Sequence, residues 1–272
     1  QRQMCIRDRI STDVGLSIAM KINFPLLALA VGAFAIGTTE FSPMGFLPEI
    51  ANDLSVSIPQ AGLLISAYAV GVMIGAPLMT LWLARFPKKT ALILLMAIFT
   101  IGNVLATVAP DYMSLMGARL ITSLNHGAFF GLGSVVAASV VPKDKQASAV
   151  AMMFMGLTIA NIGGVPLATW LSQNTSWRMA FAAISILGII TMLALWKALP
   201  QDHDVVKPNV AKELRVLTRA PVVLALLTTV MSAGAMFALY TYIAPSLHVF
   251  MQASPQTITL MLVLTLSLIH IY

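Results

Sequence analysis

Ala118-Arg119-Leu120-Ile121-Thr122-Ser123-Leu124-Asn125-His126-Gly127-Ala128-Phe129-Phe130-Gly131-Leu132-Gly133-Ser134-Val135-Val136-Ala137-Ala138 is long and apolar enough to cross a bilayer. It nevertheless carries an arginine near one end and an Asn–His pair near its middle. A charge inside a bilayer is costly, so such a side chain faces a bundle interior or an aqueous cavity rather than lipid. Gly127, Gly131, Ser134 and Ala138 are small and allow neighbouring helices to approach. A span that is polar inside and small outside points to a pathway through a helical membrane protein.

The whole composition agrees. Hydrophobic residues make up 58% and charged residues 10% of the 272 positions, with a mean hydropathy of +0.89. A soluble domain carries about 25% charged residues, so this chain has too little polar surface to dissolve and is expected to be an all-α, polytopic membrane protein with the lipid bilayer as its partner. The net charge of +6 is not clustered on a solvated face, which argues against nucleic-acid binding. One cysteine, Cys5, excludes an internal disulfide. His126, His203, His248 and His270 are scattered over different spans and loops, so no metal site is expected. No Gly-x-x-x-x-Gly-Lys-Ser/Thr loop is present, and Gly131-x-Gly133 lies inside a span with no strand before it; no cofactor or ATP drive is expected.

Working outward, apolar spans are predicted over 22–47, 60–84, 89–109, 112–140, 146–171, 177–199 and 221–247, with an eighth starting near Gln256. The basic residues Lys21, Arg85, Lys88, Lys89, Lys143, Lys145, Lys197, Lys207, Lys212, Arg215 and Arg219 fall at alternate ends of successive spans. Glu49, Asp53 and Asp111 mark the opposite ends, where Arg178 is the one basic residue. The positive-inside rule then puts the amino terminus and the polar stretch 200–220 in the cytoplasm. The expected organisation is a six-helix bundle over 20–199, a cytoplasmic linker over 200–220 and the start of a second bundle over 221–265. Residues 1–9, Gln1-Arg2-Gln3-Met4-Cys5-Ile6-Arg7-Asp8-Arg9, and 266–272 are adapter-like strings, so 1–19 and 266–272 are expected to be a non-native leader and tail, with Met20 the native start. Six spans, a long link and a further half form the layout of a two-fold-repeat secondary transporter.

Several blocks recur in a known order: Gly37-Thr38-Thr39-Glu40-Phe41 with Met44-Gly45-Phe46-Leu47-Pro48, Ala61 to Gly71 around Tyr68, Gly75-Ala76-Pro77-Leu78, His126 to Gly131, Gly156 to Asn161 with Gly164-Val165-Pro166, and Trp177-Arg178. In these the chain resembles the major facilitator superfamily, in its bacterial drug:proton antiporter and sugar-efflux branch, the arabinose-efflux-like permeases. The resemblance runs from Met20 to Leu264 and implies twelve spans in two bundles, of which this chain holds the first and part of the second. It also implies proton-coupled efflux of a small molecule, sugar, drug or amino-acid-like. Uptake by symport would use the same residues. A membrane-embedded enzyme would need clustered metal ligands or a nucleophile–base pair.

The family's latch between spans two and three is Gly-x-x-x-Asp-Arg-x-Gly-Arg-Arg; here Thr80 to Lys89 keeps Arg85, Lys88 and Lys89 but has Ala84 for the aspartate and neither glycine. The three cations are candidates for a cytoplasmic gate, or for topology markers alone. Arg119 matches the family's fourth-span arginine, which is held to assist proton transfer. With Tyr112 at the outer face, Arg119 lies roughly 10 Å and His126 roughly 21 Å along a helix rising ~1.5 Å per residue. Glu40 is the one carboxylate inside a predicted span, and an intramembrane acid defaults to a functional reading; the alternative is an early helix end at Pro43 or Pro48. Glu40, Arg119 and His126 are the proton-coupling candidates, with Glu40 and Arg119 expected to be neighbours. Asn125 and Asn161 are candidates for the substrate path or for interhelical bonds. The glycine-rich 156–166 stretch matches the family's antiporter signature in part and is expected to bend its helix.

Overall fold

The computed structural model describes residues 23–200 and 218–271, with side chains through Leu264. The expected leader, Lys21, His203, Lys207, Lys212, Arg215, most of the linker and the last residue of the expected tail lie outside the described residues.

Helix starts follow local chemistry. Helix α1 (Phe24–Gly45) is capped by Asn23, whose side-chain oxygen accepts from the Leu26 amide at 3.3 Å, and it carries Pro25 in its first turn. A short α2 (Leu47–Asp53) follows. Ser57 and Gln60 bond reciprocally in a capping box at the start of α3 (Ile58–Leu83). After α4 (Lys88–Thr107), Asp111 and Ser114 do the same for α5 (Tyr112–Ser123). The remaining helices are α6 (His126–Ser139), α7 (Gln146–Ile159), α8 (Val165–Asn174), α9 (Trp177–Ala198), α10 (Ala220–Thr241), α11 (Ile243–Met251) and α12 (Pro255–Ile271). No strand occurs among the described residues.

Seven helical stretches among the described residues are long and apolar enough to span a membrane: 24–45, 58–83, 88–107, 112–139, 143–174, 177–198 and 220–241. These coincide with the seven predicted spans. Three departures have local causes. The fourth span is two helices, because the Leu124 amide turns to the Ile121 carbonyl, three residues back at 3.3 Å, before α6 restarts at His126. The fifth contains a π-helical turn, Ala160–Gly164, where glycines meet Pro166. The seventh breaks at Tyr242, so 243–251 forms a separate short helix. Pro43, by contrast, does not end α1, which runs on to Gly45.

Helix α1 occupies the centre of the first bundle and packs on α7, α8, α9 and the π turn; α4 packs on α9 and α5, and α3 on α5 and α6. One apolar core joins these six spans, with Leu29, Ile36, Leu92, Phe99, Phe129 and Phe181 fully buried. A smaller core joins α1, α2, α3 and α8 to the later helices, through Phe41, Met44, Ile65 and Val165 against Tyr240, Ala244 and Leu262. The outer faces of the spans carry exposed Leu78, Ile101, Leu167, Ile190, Leu193 and Trp196, the arrangement a lipid environment selects.

Interhelical bonds identify the two ends. At the basic end, the Lys89 ammonium donates to the Leu199 carbonyl at 2.7 Å. At the acidic end, Tyr112 donates to the Gln60 carbonyl at 2.7 Å. There Asp53 accepts from Trp177 Nε1 at 3.0 Å and from Arg178 Nη1 at 2.5 Å, while Arg178 Nη2 donates to the Ala109 carbonyl at 2.9 Å.

Candidate functional site

Consecutive polar residues on α1 build the site. The Thr38 and Ser42 hydroxyls fold back onto the carbonyls of Phe34 and Thr38, so both are satisfied within their own helix. Thr39 instead reaches across to α4, donating to Asn103 Oδ1 at 2.7 Å, and Asn103 Nδ2 donates to the Phe99 carbonyl at 2.9 Å. This fixes the rotation of α1 and directs Glu40, the next residue, toward α3 and α6.

Glu40 meets His126 there. Its Oε2 lies 3.9 Å from His126 Nε2, with the two side chains 15% and 16% exposed. That is ion-pair range, longer than a hydrogen bond. The other ring nitrogen of His126 lies 3.1 Å from the Tyr68 hydroxyl on α3. Tyr68 is buried, and the Arg119 guanidinium sits over its ring at 4.2 Å from the centroid. Such a cation–π contact contributes on the order of 0.5–2 kcal/mol, the upper end when desolvated. Arg119 is itself buried and donates through Nη1 to the Thr39 carbonyl at 3.0 Å. Among the described residues its Nε and Nη2 have no hydrogen-bond partner.

The expected neighbourhood of Glu40 and Arg119 therefore takes a particular form. Arg119 bonds the backbone beside Glu40, whereas the carboxylate lies within ion-pair reach of His126; among the described residues there is no direct Glu40–Arg119 salt bridge. Tyr68 joins Glu40, Arg119 and His126 into one cluster. The sequence offered it only as part of a block, with no signal that its ring would stack on Arg119.

Glu40 opens onto a cavity of about 540 Å³ between the first bundle and α10. Its polar lining is Glu40, Ser66, Tyr68, Thr241 and Tyr242, among apolar groups such as Ile65 and Phe237. Asn125 and Asn161, expected along a substrate route, are buried and do not line this cavity. Each sits where its span departs from regular winding: Asn125 at the α5–α6 break, Asn161 in the π turn.

The cations considered for a gate lie at the basic end. Exposed Arg85 donates to the Trp82 carbonyl at 2.9 Å and stacks its guanidinium near Trp82 and Phe86, 5.6 and 5.8 Å from their centroids. Lys89 ties α4 to the end of α9, within one bundle. Lys88 borders an apolar cavity of about 290 Å³ among α3, α4 and α6. Among the described residues no group of three or more His, Cys, Asp or Glu side chains is arranged to hold a metal.

The family profile described as Major Facilitator Superfamily matches residues 29–271. The chain belongs to the Major Facilitator Superfamily. This facilitator chain is 67% identical over 245 residues to the inner membrane transport protein YdhP of Escherichia coli (strain K12), covering 90% of this chain and 63% of that one. It is 29% identical to a probable sugar efflux transporter of Helicobacter pylori (strain P12), over 87% of this chain and 61% of that one. It thus spans less than two thirds of the length of these curated relatives. Among solved structures, a bacterial homologue of the human lysosomal transporter Spinster, in an inward-facing and unoccupied conformation, superposes with a TM-score of 0.71 at 18% identity, covering 88% of this chain and 57% of that one. At that identity the match speaks to fold, which is the all-helical, multi-span facilitator arrangement.

Proposed function

We propose that the protein is a proton-coupled secondary transporter that exports a small molecule across the bacterial inner membrane by alternating access. Residues 20–199 form its first bundle, 200–220 a cytoplasmic linker and 221–265 the start of the second, with the amino terminus and the basic end in the cytoplasm. The names of the relatives support transport and, in one case, efflux, and membership of this family speaks for transport rather than catalysis.

The observation that carries the coupling is Glu40, a carboxylate on the wall of the cavity between the halves and within ion-pair reach of a histidine. An ionised carboxylate in low dielectric needs a counter-charge or a proton. Protonated His126 supplies the charge, donating from one ring nitrogen toward Glu40 and from the other to the Tyr68 oxygen. When His126 is neutral, Glu40 is stable as the acid or with cargo beside it. Proton and cargo thereby compete for one position, which is the logic of exchange. Arg119, fixed on Tyr68 and the Thr39 carbonyl, biases both steps through its field without titrating.

The test uses full-length protein in proteoliposomes with an interior pH dye, screened against sugars, drugs and amino acids. Cargo addition should move protons in the wild type, and Glu40→Gln should reduce that movement to the liposome background. Undiminished proton-linked flux in Glu40→Gln would remove Glu40 from the mechanism.

A further inference from the structure

Two further ionisable groups, Glu49 and His248, line one cavity at the acidic end, where the first bundle meets the later helices. Helix α11 packs on α1 and α2, and α12 packs on α8; Gln173 of α8 accepts from the Thr259 hydroxyl of α12 at 3.0 Å. Between them is a cavity of about 310 Å³ whose lining includes Glu49 and Asn52 of α2, Gln173 of α8 and His248 of α11. Glu49 Oε2 is buried and, among the described residues, has no hydrogen-bond partner. A buried acceptor left unmade is costly, and either a proton or a facing cation relieves it. We propose that Glu49 and His248 form a second proton-binding site, on the outer contact between the two halves, and that its protonation state sets how tightly the outer side closes.

Isolation of the pair supports this. Helices α3, α8 and α10 carry no Asp, Glu, Lys, Arg or His, and none occurs in α12 through Leu264. On α1 the titratable group is Glu40, which lines the other cavity, and the outer ends of α10 and α11 add only the phenols Tyr240 and Tyr242. Asp53, at the end of α2, is engaged by Arg178 and Trp177. Burial pushes the Glu49 carboxyl up from its ordinary value, while a backbone hydrogen bond and then the His248 charge act to lower it. Imidazoles charge between about pH 5 and 8. An imidazolium facing an ionised carboxylate draws the two halves together, and loss of either charge loosens the contact.

The inference rests on the transporter reading, because it needs halves that separate. Its test is chosen to keep the two apart. In full-length protein in nanodiscs, on a cysteine-free background, spin labels at Asn174 and Met251 report the outer side, and a second label pair across the basic ends reports the inner side. The ratio of short to long outer distances should fall about two- to fivefold from pH 6 to pH 8, the range of a partly exposed ion pair. Glu49→Gln and His248→Gln should each abolish that response while retaining the wild-type thermal midpoint within a few degrees. The exchanged variant Glu49→His with His248→Glu should regain it. A wild-type pH response that survives in either single variant, or an outer distance that ignores pH while the inner pair still moves, overturns the second site and leaves alternating access standing. Immobility of both label pairs would overturn both readings.

Discussion

Asn125 shows how a single buried polar residue can burden the stability of a span. It is fully buried at the α5–α6 break, and among the described residues neither its Oδ1 nor its Nδ2 has a hydrogen-bond partner. Each unmade bond of this kind costs about 1–3 kcal/mol, so the resting fold bears a penalty that a leucine of similar size would not. Asn125→Leu should therefore raise the thermal midpoint in detergent, corresponding to about 1–2 kcal/mol, while slowing transport if the amide is used in another state of the cycle. A lowered midpoint would mean that Asn125 already makes the bonds it needs. The neighbouring cluster extends the lesson. Glu40, Arg119 and His126 were all legible as ionisable groups inside spans, because a bilayer makes such residues conspicuous. Tyr68 and Asn103 were not, since a tyrosine or an asparagine in a span is unremarkable until its partner on another helix is known. Which partner Glu40 takes was also beyond the sequence, which puts Arg119 and His126 on one span without showing which of them the carboxylate meets.

At the scale of helices, the number and limits of the spans were readable because length, hydropathy and caps act locally. Ser57 with Gln60 and Asp111 with Ser114 start their helices where the sequence says they should. Breaks inside spans were less readable. The Leu124–Asn125 turn has no proline or glycine at its centre, and Pro43 is accommodated within α1. Small residues divide in the same way. Gly156 allows α7 to lie against the α1 backbone, where a Cβ would collide with the Ala30 carbonyl and crowd the Phe34 amide; Gly131, which reads alike in sequence, would meet nothing within 4 Å. Gly156→Ala should thus cost roughly 1–3 kcal/mol through overpacking, and Gly131→Ala should be neutral or stabilising by up to about 1 kcal/mol. Thermal unfolding of the two variants side by side is the check. Equal midpoints would show that the α1–α7 contact yields to an added methyl.

For the whole molecule, the proposed alternating access requires that the six spans of the first bundle move as one body while the contact with the later helices changes. The apolar core common to those spans provides most of that unity. Asp53 adds a clip at the acidic end, joining α2 to the start of α9 and, through Arg178, to the end of α4. Hydrogen bonds from Arg178 and then Trp177 hold the Asp53 carboxyl below its ordinary value. A carboxyl whose folded value lies below its unfolded one contributes stability above the unfolded value, near pH 3.9, and loses it as pH falls through the folded value. The side chains are 46% and 31% exposed, so solvent screening limits the contribution to about 0.5–1 kcal/mol. Asp53→Asn should accordingly lower the thermal midpoint modestly at pH 7, and the gap from wild type should close as the medium is taken below about pH 4. The inner-side label distances should broaden in the same variant, because a looser first bundle no longer transmits movement from its outer end to its inner one. A gap that persists unchanged into acid would show that Asp53 acts through packing alone, leaving the apolar core as what keeps the bundle rigid.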